Sequence, residues 1–182
     1  MKNPTVMIAL GGNSLSPKGK TDSIESQFSR TRRTMDSISN FIDLNYNICI
    51  THGNGPQVGN ELLRMELTNE QVPSLPLGIC VASTQGQMGY MIQQTLQNKL
   101  REMSIDREVV TLVTQVIVDK NDKNINNPTK YIGPRYSKDE ISQLSNKFNW
   151  KIKEQEPGLW RRVVPSPMPS YIMHGKSIKA LV

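Results

Sequence analysis

Two turns rich in glycine and asparagine are the first candidates for chemistry in this sequence. One is Gly11-Gly12-Asn13-Ser14, after the apolar run 6–10, and the other is Gly53-Asn54-Gly55, after the run 46–50. Glycine permits close approach to a ligand, and a turn from a strand into a helix directs backbone N–H groups and the positive helix end at one point. Such turns suit one anion each, or one anion in transfer. The alternative is that the glycines only make tight connections.

Other phosphate or nucleophile chemistries have less support. The sequence has no GxxxxGK[ST] loop. Gly53, Gly55 and Gly59 resemble a relaxed dinucleotide fingerprint, but the acidic residue expected about twenty positions later is missing. Neither His52 nor His174 accompanies a GxSxG nucleophile motif. Cys49 and Cys80 form no CxxC pair, so we predict packed reduced thiols and no metal site.

The turns need a scaffold, and the hydrophobic pattern predicts an α/β fold with a mainly parallel sheet flanked by helices. Asp22 and Glu25 have capping-box spacing before an amphipathic helix of about five turns. A second helix is expected after Gly55. Further on, 77–82 is an apolar, strand-like run, 85–103 is predicted to be a helix, and 109–118 is the most β-branched run.

Residues 119–170 have a different texture, polar and rich in turns and prolines. Ser137 and Glu140 again have capping-box spacing. We therefore predict a main α/β domain over 1–118, a small protruding α+β subdomain over 119–170, and a return into the main domain over 171–182.

The composition points to an ordinary chain with a basic surface. Net charge is +6, but the basic residues are spread along 182 residues and aromatic residues make up 5%. A nucleic-acid interface would cluster them with stacking aromatics, so no nucleic-acid partner is predicted. The first apolar run stops at Gly11, too short for a signal peptide or a membrane span. The expectation is a cytoplasmic protein without a membrane partner.

Six motifs, in order along essentially the whole chain, resemble carbamate kinase within the amino-acid kinase superfamily. NPTKYIGP and WRRVVPSP are the most specific, and Ser14 and Ser83-Thr84 are small departures, of which Ser83-Thr84 could alter the lining of the pocket but not the fold. The motifs are ALGGNSL (9–15), THGNGPQVG (51–59), QGQMGY (85–90), LVTQV (112–116), NPTKYIGP (127–134) and WRRVVPSP (160–167).

The resemblance implies a reaction and a site. Carbamate kinases transfer a phosphoryl group reversibly between ATP and carbamate, and positioning and charge stabilisation supply most of such catalysis. By this resemblance the backbone of Gly11, Gly12 and Asn13, with Ser14 beside it, cradles the phosphoryl oxygens. Gly53, Asn54 and Gly55 close on the carbamate, and Lys130 contacts the acyl phosphate from a mobile subdomain.

The resemblance also implies ATP or ADP with Mg²⁺, carbamate and carbamoyl phosphate as small-molecule partners, and a homodimer. Carbamate kinases continue beyond the equivalent of Val182 into a nucleotide-binding half. The expectation is therefore that this chain is the carbamate-side half and is inactive alone. The alternative is a truncated, non-catalytic remnant that binds small anions or pairs with a full-length partner.

Overall fold

The computed structural model describes residues 3–11 and 23–182. The described chain begins with two strand–helix pairs, continues with a further long helix, and consists mainly of strands in its second half. The elements are β1 (Thr5–Leu10), α1 (Ile24–Asp43), β2 (Asn47–His52), α2 (Gly55–Leu67), α3 (Leu77–Glu102), β3 (Val116–Val118), β4 (Lys130–Tyr136), α4 (Lys138–Phe148), β5 (Ile152–Glu156), β6 (Leu159–Val164), β7 (Pro169–Ile172) and α5 (Gly175–Leu181).

β1 and β2 form a parallel pair, as the alternating strand and helix pattern predicts. Leu10 lies opposite His52, so both strands end at the same edge. One face of the pair packs on α1 and α3. This core contains the buried side chains Leu10, Met35, Ile38, Ile42, Met88, Met91, Ile92, Leu96 and Leu100. The α/β class is confirmed, and the core fixes the position of the strand ends.

The start of α1 differs from the prediction by one residue. The N-cap is Ser23, whose hydroxyl accepts a hydrogen bond from Ser26 N–H at 3.2 Å. Asp22, the predicted cap, lies outside the described residues. Ser23 has the extended backbone of a cap residue, so the shift costs the helix no capping bond.

The strand-like run 77–82 is not a strand, and the prediction was wrong there. It forms the first turns of α3, which continues unbroken to Glu102 and has Pro76 as its N-cap. Cys80, Thr84 and Met88 follow at four-residue spacing and are all buried. A short apolar run cannot be distinguished from a buried helix segment by periodicity alone.

The β-branched run 109–118 is also mostly not a strand, since only Val116–Val118 pairs as β3. Side chains of α3 take the place of a strand neighbour. The Gln97 carboxamide accepts from Val109 N–H at 3.0 Å and donates to Arg107 C=O at 3.0 Å. Gln85 likewise accepts from Thr114 N–H at 2.9 Å. Residue types predicted a strand, but these polar side chains of α3 satisfy the backbone instead.

The remaining strands are antiparallel. β3 pairs with β7, and β4, β6 and β5 form a three-stranded sheet in that order. α4 begins at Ser137 with the predicted capping box, in which Ser137 and Glu140 exchange backbone and side-chain hydrogen bonds. Among the helices of the described residues, none is both long enough and apolar enough to cross a membrane.

Candidate functional site

The carboxyl ends of β1 and β2 bring the two predicted turns together. Leu10 C=O accepts a hydrogen bond from Gly53 N–H at 3.2 Å, so Gly11 and Gly53 leave their strands side by side. Gly11 is exposed, and a Cβ placed there would meet no atom within 4 Å. Gly12, Asn13 and Ser14 belong to the predicted site but lie outside the described residues.

α2 begins directly after β2, as the sequence predicts. Asn54 is its N-cap, Gly55 its first residue, and Pro56 lies in the first turn, where its missing N–H costs no helical bond. Asn54 C=O accepts the first helical bond, from Val58 N–H at 2.9 Å. The positive end of the α2 dipole therefore lies at the edge where both strands end.

Lys130 is the first residue of β4 and is exposed. Its neighbour Tyr131 lies beside the start of α2, because a Cβ on Gly55 would be 3.6 Å from Tyr131 C=O. The backbone of the first residues of β4 and the turn 53–55 are thus brought together from positions far apart in the sequence. A mobile ammonium beside a helix N-terminus suits a negatively charged ligand.

Gly59 and Gly133 explain how β4 comes so close to α2. A Cβ on Gly59 would lie 2.1 Å from Gly133 Cα, and Gly133 has φ +70°. Gly59 permits this contact because it has no side chain, whereas at Gly133 it is the positive φ that favours glycine. Gly59 ends the motif THGNGPQVG and Gly133 lies in the motif NPTKYIGP, but no structural role was predicted for either glycine. The signal was a glycine inside the helical pattern after Pro56 and another inside a strand-like motif, a mark of close backbone approach.

Asn54 is held by α3 and not by its own helix. Its Nδ2 donates to Val81 C=O at 3.2 Å and to Thr84 Oγ1 at 3.0 Å. Thr84 is 1% exposed, whereas its neighbour Ser83 is exposed. Ser83-Thr84 is the departure from the motifs that is predicted to alter the pocket lining. In the structure Thr84 contacts a predicted site residue, through a bond between helices that spacing cannot reveal.

Arg161 adds a partly buried cation behind β4. Its Nη2 donates to Gly133 C=O at 2.7 Å and its Nη1 to Gln155 Oε1 at 3.2 Å. Its Nε is buried and has no hydrogen-bond partner among the described residues. Burial lowers the pKa of the Arg161 guanidinium, and Arg135 lowers it further. Arg161 thus supports the β4 backbone at the glycine contact.

His52 and the two cysteines, Cys49 and Cys80, lie in positions that suit a structural role. The His52 ring lies 3.4 Å from Gly53 C=O through Nδ1. Neither cysteine forms a disulfide; Cys80 is fully buried, and Cys49 is partly buried. Burial raises the pKa of the Cys80 thiol, with a smaller contribution from Glu61. A protonated, packed thiol is a poor nucleophile.

Comparison with known proteins finds similarity to carbamate kinases in both sequence and structure. The chain is 44% identical over 179 residues to a carbamate kinase of Pyrococcus furiosus, a match covering 97% of this chain and 57% of the relative. A carbamate kinase of Giardia lamblia solved with citric acid superimposes with a TM-score of 0.93 at 34% identity, covering 98% of this chain and 58% of that one. The same Giardia enzyme bound to AMP-PNP gives a TM-score of 0.80 over 98% of this chain and 57% of that one, at 34% identity.

No protein-family model matches the chain. The identity nevertheless extends over nearly all its residues, and the solved structures share its fold across the same range. The chain spans a little over half the length of the curated relatives it matches. It is a homologue of carbamate kinases, corresponding to their N-terminal portion.

Proposed function

We propose that the chain is the carbamate-side part of a carbamate kinase-type phosphotransferase, which interconverts ATP plus carbamate and ADP plus carbamoyl phosphate. The observation that carries the proposal is the convergence of Gly11, the turn 53–55 and the first residues of β4 at one edge of the β1–β2 pair. The homology to carbamate kinases gives this convergence its chemical interpretation.

In this proposal each group has a role set by its chemistry. The backbone of Gly11, Gly12 and Asn13, with Ser14 beside it, binds the phosphoryl oxygens. Gly53, Asn54 and Gly55 bind the carbamate side, next to the dipole of α2. Lys130 supplies a point charge to the acyl phosphate. These groups orient the reactants and stabilise charge, which is most of what phosphoryl transfer requires from a protein.

ATP or ADP with Mg²⁺ completes the proposed reaction, since a related carbamate kinase binds AMP-PNP. Mg²⁺ is usually held by one or two carboxylates together with nucleotide phosphates, and the part of the chain that the structure describes has no group of three or more His, Cys, Asp or Glu that could hold a metal by itself. We therefore derive no step through the metal or the nucleotide.

The wider setting is also proposed from the resemblance. We place the protein in the cytoplasm as a homodimer acting on carbamate and carbamoyl phosphate. Residues 119–170 are proposed as a lid-like subdomain, with 1–118 as the main domain and 171–182 as the return. The three-stranded sheet and α4 fall inside the proposed subdomain, which supports a separate unit there, whereas β7 crosses its proposed end at residue 170 and pairs with β3.

Calorimetric titration of carbamoyl phosphate into the chain tests the proposal. Binding is expected for the parent, and Lys130→Ala should weaken it at least about tenfold, because an opposite charge beside the ligand is lost. Folding stability should hardly change, since Lys130 is exposed. In a preparation that forms ATP from carbamoyl phosphate and ADP, Lys130→Ala should lower kcat/KM by a factor that corresponds to about 2–4 kcal/mol of lost transition-state stabilisation.

Lys153→Ala is the matched control. Lys153 is exposed and lies on β5, at the opposite edge of the same three-stranded sheet. The Lys153→Ala variant should bind carbamoyl phosphate with the same affinity as the parent protein. Equal affinities of the parent, Lys130→Ala and Lys153→Ala would show that Lys130 is a surface lysine without a role in binding. Absence of binding by the parent would overturn the proposed function. Binding without turnover in any assembly would favour the non-catalytic, anion-binding alternative.

A further inference from the structure

Asn54 occupies a capping position without capping its helix. An asparagine at the N-cap usually accepts, through its side-chain oxygen, a hydrogen bond from the first turn. Here the side chain makes no capping bond. Both protons of its Nδ2 go to α3, one to Val81 C=O and one to Thr84 Oγ1. The carboxamide is therefore oriented by the neighbouring helix.

The two acceptors on α3 determine which end of the carboxamide faces them. Val81 offers a backbone carbonyl, which can only accept. The Thr84 hydroxyl has one proton and directs it within its own helix, at 2.8 Å from Cys80 C=O and 3.0 Å from Val81 C=O. It therefore meets Asn54 as an acceptor. A flipped carboxamide would place its oxygen against the Val81 carbonyl, which cannot donate, so the amide nitrogen faces α3.

This orientation leaves Asn54 Oδ1 without a hydrogen-bond partner among the described residues. No described residue donates a hydrogen bond to Asn54 Oδ1, and the side chain is only partly buried. It lies between Gly53 and Gly55, in the turn assigned to the carbamate. In the proposed site, Asn54 thus offers a fixed acceptor and no donor.

Carbamoyl phosphate has the complementary group. Its acyl carbon carries an NH₂, which donates two hydrogen bonds, whereas the same position in acetyl phosphate is a methyl of similar size. A site that bonds a substrate N–H rejects the analogue that lacks it, because the site's acceptor is left unpaired. Backbone N–H groups and Lys130 attract the phosphate of both compounds equally.

From these contacts we infer that Asn54 Oδ1 selects the carbamoyl amino group, and that Thr84 is the positioning residue that keeps this oxygen turned toward the substrate. The inference rests on the proposed function, because it assigns the turn 53–55 to the carbamate. It adds the atom that distinguishes a carbamoyl from an acetyl group.

Thr95 provides a matched control for Thr84. It lies on the same helix, is buried, and donates within the helix in the same way, at 2.8 Å from Met91 C=O and 3.1 Å from Ile92 C=O. No other helix donates to it among the described contacts. Thr84→Val and Thr95→Val therefore each lose the hydrogen bonds that the threonine hydroxyl donates within α3. Only Thr84→Val also loses the hydrogen bond from Asn54.

The experiment titrates carbamoyl phosphate and acetyl phosphate into the chain by calorimetry. The parent should prefer carbamoyl phosphate by about tenfold or more, the value of one well-placed hydrogen bond. In Thr84→Val the preference should fall to within about threefold, with acetyl phosphate affinity little changed, while Thr84→Ser and Thr95→Val keep the parent preference. A purely structural role for Thr84 would weaken both ligands together.

The outcomes separate the inference from the function on which it rests. If the parent binds neither compound, the proposed function fails. If it binds both equally, the site is an acyl-phosphate site and the inference is wrong. An unchanged preference in Thr84→Val also overturns it. If that variant does not fold, the ¹H–¹⁵N signals of the Asn54 side-chain amide decide in the parent: slow exchange with water supports the orientation and fast exchange contradicts it.

Discussion

Gly59 and Gly133 determine how closely α2 approaches β4. The absence of a Cβ on Gly59 and the positive φ of Gly133 let the two backbones touch, so that Tyr131, the neighbour of Lys130, lies beside the start of α2. Neither glycine belongs to the predicted site, yet both set its dimensions. Separation of the helix and strand would move Lys130 away from the carboxyl ends of β1 and β2.

Gly59→Ala is predicted to destabilise the protein by about 1–3 kcal/mol, because the added methyl would overlap the Gly133 backbone, which cannot rotate away. Gly86→Ala is the control: Gly86 is also inside a helix, and a Cβ there meets nothing within 4 Å. It should raise stability by up to about 1 kcal/mol through helix propensity. Urea unfolding measures both, and equal stability of the two variants would contradict the close contact.

At the scale of elements, a second contact attaches α2 to the three-stranded sheet. Glu66 on α2 pairs with Arg162 on β6 at 2.8 Å and accepts from the Trp150 indole at 2.9 Å. The Arg162 guanidinium also lies 4.7 Å from the centroid of the Trp150 ring. With the glycine contact, this cluster holds the sheet at both ends of α2. A lid-like movement of the sheet must therefore involve α2 or break these contacts.

Glu66→Gln is predicted to lower the free energy of unfolding by about 1–3 kcal/mol, since Arg162 and Trp150 lose a charged acceptor in a partly buried site. Glu61→Gln is the control on the same helix. Glu61 pairs with Arg64, whose side chain is 66% exposed, so its loss should cost no more than about 0.5 kcal/mol. Equal costs in thermal and urea unfolding would show that the Glu66 cluster does not fasten α2 to the sheet.

The sequence predicted those elements whose signals are local. The capping box at Ser137 and the helix after Pro56 depend on residues within a few positions, and both are confirmed. The run 109–118 was predicted wrongly because its backbone partners include glutamine side chains more than ten residues away. The Asn54–Thr84 bond escaped prediction for the same reason. Only Gly11, Gly53, Asn54, Gly55 and Lys130 of the predicted site are described, and their roles stay predictions.

At the scale of the whole molecule, the apolar surface is distributed unevenly. Met7 on β1 is 72% exposed, although parallel strands are ordinarily covered on both faces. The β3–β7 ribbon exposes the cross-strand pair Val116 and Ile172 at 49% and 51%. Contiguous apolar side chains of this kind, next to unpaired strand edges, favour association with another polypeptide.

We therefore predict that the 182-residue chain self-associates as its concentration rises, and that the double variant Val116→Thr/Ile172→Thr reduces this association. Threonine keeps the β-branched shape that suits a strand while removing apolar surface, so the ribbon itself should persist. Val72→Thr is the control, because Val72 is 58% exposed but lies in the loop between α2 and α3. Sedimentation velocity over a concentration series measures the effect. A parent that stays monomeric, or a Val72→Thr variant that behaves like the ribbon variant, would show that the ribbon does not drive association.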